Sequence, residues 1–218
     1  MSTTTGIAPP RRRRSGLRLA VASGAALVLL VAMALDTRVV RLGGAGDTQP
    51  GVFSPAAYGA ATFPKIQAVI AGRAVAAPVL AEALAKDPEA AAKRYGVPAN
   101  GSPEFPVSFT GVVGGDDSGN YDVKVDGMPE GVTVKVQTGP AIMGTDLRDG
   151  TGTVSFGQFT NQIEYQNAGS AINKEMKKEV LSKIDTASLA GKTVSVVGVF
   201  QLTDPKAWLV TPVRMEVK

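Results

Sequence analysis

The order of the strand-like segments in the second half of the chain constrains its fold most. Three stretches alternate apolar and polar residues with the two-residue period of a half-buried strand, and turn-forming residues separate them. An amphipathic helix and two further strand-like stretches follow. The predicted strands cover residues 107–111, 121–125, 132–136, 192–200 and 208–217, and the predicted helix covers residues 168–184.

This order predicts an α+β fold whose main domain, residues 98–218, is a five-stranded OB-like antiparallel β-barrel. An OB (oligonucleotide/oligosaccharide-binding) barrel is a small Greek-key barrel of five strands, and its helix lies between strands 3 and 4. The predicted helix repeats apolar residues every four positions, which places them on one face. These residues are Ile172, Met176, Val180 and Ile184.

Residues 53–97 form a predicted helical segment that packs beside this barrel. Ser54 followed by Pro55 is typical of a helix start, with the serine as N-cap and the proline in the first turn. Asp87 precedes a proline, and such a residue avoids the helical region, so one helix ends there and another begins. The predicted helices are 54–74, 77–86 and 88–95.

The N-terminus has the pattern of an export or membrane segment. Five arginines between positions 11 and 18 precede the apolar run 19–35, which contains no charged residue. A helix of this length spans about 25 Å, slightly less than a hydrocarbon core of about 30 Å. We predict a basic cytoplasmic tail at 1–18, a transmembrane signal-anchor helix at 19–35 and a linker at 36–52.

The charge distribution indicates the orientation of this segment. Arginines concentrated before an apolar run hold the N-terminus in the cytoplasm, so the following domain is exported. The expected protein is a single-pass cell-membrane protein with an extracytoplasmic C-terminal domain. Ala32-Met33-Ala34 also fits a signal-peptidase site, and cleavage after Ala34 stays an alternative.

The net charge of +4 does not indicate nucleic-acid binding, although OB domains commonly bind nucleic acids. Seven of the 23 basic residues precede Leu42, where Asp36 is the only acidic residue. The rest of the chain has 16 basic and 18 acidic residues. Phosphate binding requires a basic surface, so this mildly acidic region favours no nucleic-acid partner. An oligonucleotide-binding OB domain is therefore the third hypothesis for function.

The sequence contains no histidine and no cysteine, which removes several classes of catalytic site. Ser-His-Asp and Cys-His catalysis and zinc sites with imidazole or thiolate ligands are excluded. We therefore predict a non-enzymatic protein without cofactor or metal. Asp146 and Asp149 form the one carboxylate pair that leaves a cell-envelope hydrolase as the alternative.

Polar residues that are candidates for binding concentrate between Gly139 and Gln162, where the chain crosses from the third strand to the helix. Two interpretations stay open. These side chains either pin irregular backbone near the core, or they form a pocket or docking surface. The candidate binding residues are Thr145, Arg148, Asp149, Asn161 and Gln162.

Several longer segments carry a family resemblance. They are FSPAAY at 53–58, KDPEAAAKRYG at 86–96, GPAIMGTDLRD at 139–149, FTNQI at 159–163, and GKTV at 191–194 with LVTPV at 209–213. Together they resemble the bacterial predicted periplasmic lipoproteins catalogued as domain of unknown function 2291 (DUF2291). The resemblance covers nearly everything after the linker.

The resemblance implies an exported, membrane-attached protein that is often encoded beside ABC-type sugar transporters and has no established activity. An accessory role in sugar uptake follows as the expected function, with the transporter or its solute-binding protein as partner. The lipid-bearing cysteine expected of this family is missing, because the sequence has no cysteine. This departure favours a retained N-terminal helix in place of a lipid.

Overall fold

The computed structural model describes residues 14–36, 52–99 and 101–218. The chain divides into two compact units, residues 1–47 and 48–218. Helix α1 of the first unit runs from Arg14 to Asp36, so it begins inside the predicted tail. Residues 1–13 of the tail and most of the predicted linker lie outside the described residues.

Helix α1 contains the apolar run that we expected to cross the membrane. The described parts of the chain contain no helix whose length and apolar character suffice for a membrane span. The structure thus does not support the transmembrane signal-anchor helix predicted at 19–35.

The second unit begins with three helices close to the predicted ones. They are α2 (Pro55–Arg73), α3 (Ala77–Lys86) and α4 (Pro88–Tyr95). Local capping fixes two of their starts. The Ser54 hydroxyl accepts a hydrogen bond from the Ala57 N–H at 3.5 Å, and the Asp87 carboxylate accepts one from the Ala90 N–H at 3.0 Å. Such caps satisfy N–H groups that lack partners within the helix.

The strands that the structure describes in the second unit belong to one sheet. Its bounds are β1 (Val75–Ala76), β2 (Glu104–Asp117), β3 (Asn120–Val125), β4 (Thr133–Gln137), β5 (Thr193–Gln201) and β6 (Ala207–Val217). The order is β1-β2-β3-β4-β6-β5, and an additional pairing joins β5 to β2. The five longer strands therefore close into a ring, and β1 lies outside it.

Two features of the sheet correct the prediction of five antiparallel strands. The sheet is mixed, because β4 and β6 pair in parallel. A further strand, β1, pairs in parallel with residues 107 and 108 of β2. Two residues are too few to show an alternating pattern, so the sequence could not reveal β1.

Helix α6 (Gln162–Glu179) lies between β4 and β5, at the predicted place in the order. It starts six residues before the predicted position and is followed by a short 3-10 turn at 181–183. Helix α2 packs closely against it at Gly59, where an added Cβ would lie 2.6 Å from the Ala171 carbonyl oxygen. The core between the helices and the ring includes Phe63, Leu80, Ile172, Met176 and Trp208.

Candidate functional site

Arg148 and Asp149 form a two-pronged ion pair on the short helix α5 (Asp146–Asp149). The guanidinium Nε lies 2.8 Å from Asp149 Oδ1, and Nη2 lies 2.8 Å from Oδ2. Both side chains are shielded, with 7% and 12% of their surfaces exposed. A fork of this geometry is stronger and more directional than a single ionic hydrogen bond.

Tyr165 of α6 completes the surroundings of this pair. The Arg148 Cζ lies 3.7 Å from the centre of the Tyr165 ring, and its Nη1 donates to the Tyr165 carbonyl oxygen at 3.3 Å. The Tyr165 hydroxyl donates to Asp149 Oδ1 at 3.3 Å, and the Thr145 hydroxyl donates to Asp149 Oδ2 at 2.7 Å. The fork is thus held by hydrogen bonds and by a cation–π contact.

Asp146 connects α5 to the sheet. Its Oδ2 accepts a hydrogen bond from the Thr211 hydroxyl of β6 at 3.0 Å, and Gln137 of β4 donates to the same hydroxyl at 2.9 Å. Burial raises the pKa of Asp146 to about 6, against the lowering effect of the Thr211 hydrogen bond. Asp146 and Asp149 are therefore engaged by different partners, Asp146 by Thr211 and Asp149 by Arg148.

Glu104 is a buried acid that sequence reasoning missed. It is the first residue of β2, 1% exposed, and its Oε2 has no hydrogen-bond partner among the described residues. Its pKa is raised to about 9, mainly by burial and also by the nearby charges of Asp146 and Asp149, against the lowering effect of Arg148. Glu104 is thus a neutral acid at pH 7. One glutamate directly before an apolar strand is an ordinary sequence pattern, so the sequence did not indicate that this side chain is buried.

Asn161 and Gln162, the other predicted binding residues, form the start of α6. Asn161 is the N-cap, and its side-chain oxygen accepts a hydrogen bond from the Glu164 N–H at 2.9 Å. Gln162 is the exposed first residue of the helix. The structure therefore gathers Thr145, Arg148 and Asp149 into one network and uses Asn161 as a cap.

A chain of aromatic rings adjoins the Arg148 network. Neighbouring ring centres lie 5.4–5.7 Å apart, a spacing typical of favourable edge-to-face or tilted pairs. We call this group the aromatic cluster, and its members are Phe53, Tyr58, Phe156, Phe159 and Tyr165. Phe156 is 50% exposed, and Ile163, in the first turn of α6, is 70% exposed.

Chemically, this arrangement offers an apolar contact surface on a fixed polar base. Aromatic residues are enriched at protein interfaces, and exposed apolar patches often mark interaction sites. Among the described residues, no group of three or more acidic, histidine or cysteine side chains is placed to hold a metal ion.

Comparisons with known proteins agree with this architecture. The family model for predicted periplasmic lipoproteins (DUF2291) matches residues 25–216. The crystal structure of an OB-fold protein from Thermotoga maritima has 21% sequence identity and a TM-score of 0.64, and the alignment covers 77% of this chain and 99% of that one. This similarity supports the OB fold alone. A search of curated proteins gave no match.

Proposed function

Because the chain belongs to the DUF2291 family of predicted periplasmic lipoproteins, we propose that it is a non-enzymatic accessory protein of an ABC-type sugar uptake system. In this role its second unit works on the extracytoplasmic side of the cell membrane. It docks there on the transporter or on the solute-binding protein. The link to sugar uptake comes from the family resemblance, and the docking surface comes from the site.

The observation that carries the proposal is the exposure of two apolar side chains, Phe156 of the aromatic cluster and Ile163 in the first turn of α6. Large apolar side chains with 50% and 70% of their surface exposed contribute little to folding. They can contribute to binding when a partner removes them from water, and aromatic residues are frequent binding hot spots. A partner surface with a matching apolar depression is the occupant that this chemistry favours.

The polar network makes this surface rigid before a partner arrives. Phe156 packs on Tyr165 with ring centres 5.7 Å apart, and Tyr165 is fixed in turn by Arg148 and Asp149. A side chain that is already ordered loses less entropy when it binds. In this proposal the predicted binding residues Arg148 and Asp149 do not contact the partner, and they hold Tyr165 in the position on which Phe156 packs.

Deleting the gene is expected to reduce uptake of the sugar handled by the neighbouring transporter, and the wild-type gene should restore uptake. The Phe156→Ser and Ile163→Ser variants should restore less than half of it, at unchanged protein level, since hot-spot truncation costs more than about 1 kcal/mol. Radiolabelled sugar uptake measures the effect. Val79→Ser is a matched control, because Val79 is 50% exposed on α3. Normal uptake in the deletion strain would end the proposal.

We also propose that the segment 19–35 keeps the chain at the membrane. The arginines ahead of an uncharged apolar run support this, as does the family description. Intact-mass spectrometry of protein extracted from membranes should then show that residues 19–35 are retained. A mature N-terminus at Leu35 would show instead that the segment is a cleaved export signal.

A cell-envelope hydrolase is the second candidate function. The raised pKa of Asp146, about 6, favours it, because an acid or base that titrates near neutral pH suits proton transfer. Asp146→Asn would then abolish turnover of an envelope substrate and leave the fold intact. The accessory role predicts instead that the purified wild-type protein turns over none of the envelope glycans and peptides offered to it.

A further inference from the structure

A separate cleft of about 540 Å³ opens beside the turn that joins β2 to β3. It lies between this turn, the segment that follows β4, and the 3-10 turn Thr186–Ser188, and Lys177 of α6 lines it too. Small-molecule sites typically have volumes of about 300–1,000 Å³. The cleft therefore has room for a ligand the size of a monosaccharide.

Direct backbone contact builds one wall of the cleft. Ser118 and Gly119 both have positive φ angles, 58° and 88°, as a tight two-residue hairpin turn requires. The Gly119 carbonyl oxygen accepts hydrogen bonds from the Thr138 N–H at 2.8 Å and from the Thr138 hydroxyl at 3.0 Å. A Cβ on Gly119 would lie 1.1 Å from the Gly139 carbonyl oxygen. The turn and the segment after β4 are thus held together without a ligand.

The lining offers both hydrogen-bond donors and acceptors. Asp116 Oδ1 accepts from the Gly119 N–H at 2.7 Å, and an ionised carboxylate has further lone pairs to offer. Lys177 Nζ donates to the Pro140 carbonyl oxygen at 2.5 Å, and an ammonium has two more N–H groups. The Tyr121 hydroxyl donates to the Thr186 carbonyl oxygen at 2.9 Å, which fixes the buried ring in the lining.

These groups favour a neutral ligand over an ion. One carboxylate and one ammonium line the cleft, so its formal charge is balanced. The lining has no guanidinium fork, the group best suited to hold phosphate or carboxylate. Each hydroxyl of a polyol both donates and accepts, so it can pair with Asp116, Lys177 or Ser118.

We infer that this cleft binds a small neutral polyhydroxylated ligand of monosaccharide size, with Asp116 and Lys177 as its polar contacts. The inference rests on the lining and is independent of the docking surface proposed above. If the protein binds such a ligand in this cleft but its deletion does not change sugar uptake, this inference stands and the accessory role is wrong.

Isothermal titration calorimetry of the full-length protein tests the site. The probes are glucose, galactose, ribose and inositol, with glycine and inorganic phosphate as contrasting ligands. At least one polyol should bind saturably, and Asp116→Asn and Lys177→Met should each weaken binding about tenfold or more. Asp116→Asn retains the oxygen that accepts from Gly119, so the turn should keep its form. Circular dichroism of each variant checks the fold.

Lys174→Met is the matched control, because Lys174 is exposed on the same helix and does not line the cleft. It should leave the affinity unchanged. The inference is overturned if no polyol binds at 10 mM, a concentration about tenfold above a weak Kd of 1 mM. Tighter binding of glycine or phosphate, or an equal loss in Lys174→Met, would overturn it too.

Discussion

Replacing Arg148 by alanine should lower the free energy of unfolding by about 3–5 kcal/mol, the range for removing one partner of a buried ion pair. The Asp149 side chain is only 12% exposed in the wild-type structure, and the variant leaves it without the guanidinium that neutralises it. It also removes the cation held 3.7 Å from the Tyr165 ring centre. Urea unfolding followed by circular dichroism measures the loss.

Arg94→Ala is the matched control for this experiment. Arg94 also lies over a tyrosine ring, 5.0 Å from the centre of Tyr95, but it is exposed to solvent. Its replacement should cost less than about 1 kcal/mol, as exposed cation–π contacts do. If Arg148→Ala and Arg94→Ala cost the same, the Arg148 network would not be the structural base that we describe.

Glu104→Gln should stabilise the protein at alkaline pH and change little at pH 5. Glu104 ionises with a pKa of about 9 in the folded chain, against 4.5 as its ordinary value. Between these values the folded state keeps a proton that the unfolded state has released. Stability then falls as pH rises, by up to about 1.4 kcal/mol per pH unit. Glutamine is neutral in both states and removes this loss.

Two neighbouring groups bear on the size of this effect. The pKa of Asp146 is raised to about 6, so the free energy of unfolding also falls as the pH rises from about 4 to 6. The Arg148 charge lowers the pKa of Glu104 and so reduces the loss. Thermal unfolding of wild type and Glu104→Gln from pH 5 to 9 should give two curves that diverge as the pH rises.

The exposed Glu130 supplies the control, since Glu130→Gln should follow the wild-type curve at every pH. Parallel curves for wild type and Glu104→Gln would contradict the prediction. They would show that Glu104 is ionised in the folded protein at neutral pH, and hence that its buried carboxylate has found a partner.

Local signals explain which parts of the fold could be predicted. The starts of α2 and α4 follow from caps and prolines within four residues, so their bounds were predicted to within one residue. The start of α6 was missed because its apolar spacing is regular only from Ala168 onward. Asn161 is a typical N-cap residue, but its position among other polar side chains favoured a binding role instead. The parallel β4–β6 pairing depends on how the five longer strands close into a ring, and no local sequence pattern encodes that closure.

The candidate site shows the same limit. Arg148 and Asp149 are adjacent in sequence, and their pairing with Thr145 is a local event on one short helix. The aromatic cluster joins Phe53 and Tyr58 to Phe159, about a hundred residues away, through the packing of α2 on α6. The environment of Glu104, the first residue of β2, likewise depends on residues distant in sequence, because Asp146 and Asp149 lie close enough to raise its pKa. Such long-range neighbours follow from tertiary packing alone.

The two-residue strand β1 has a consequence for how far the chain can be shortened. Val75 and Ala76 pair with residues 107 and 108 of β2, whereas β3 pairs with β2 only from residue 111 onward. Val97 pairs with Glu104 by two backbone hydrogen bonds of 2.7 and 2.9 Å. Cutting at the predicted boundary between 97 and 98 would expose this part of β2 as an open edge. Open edges promote aggregation between chains. We therefore expect that residues 53–97 prevent self-association of the sheet by covering this edge of β2.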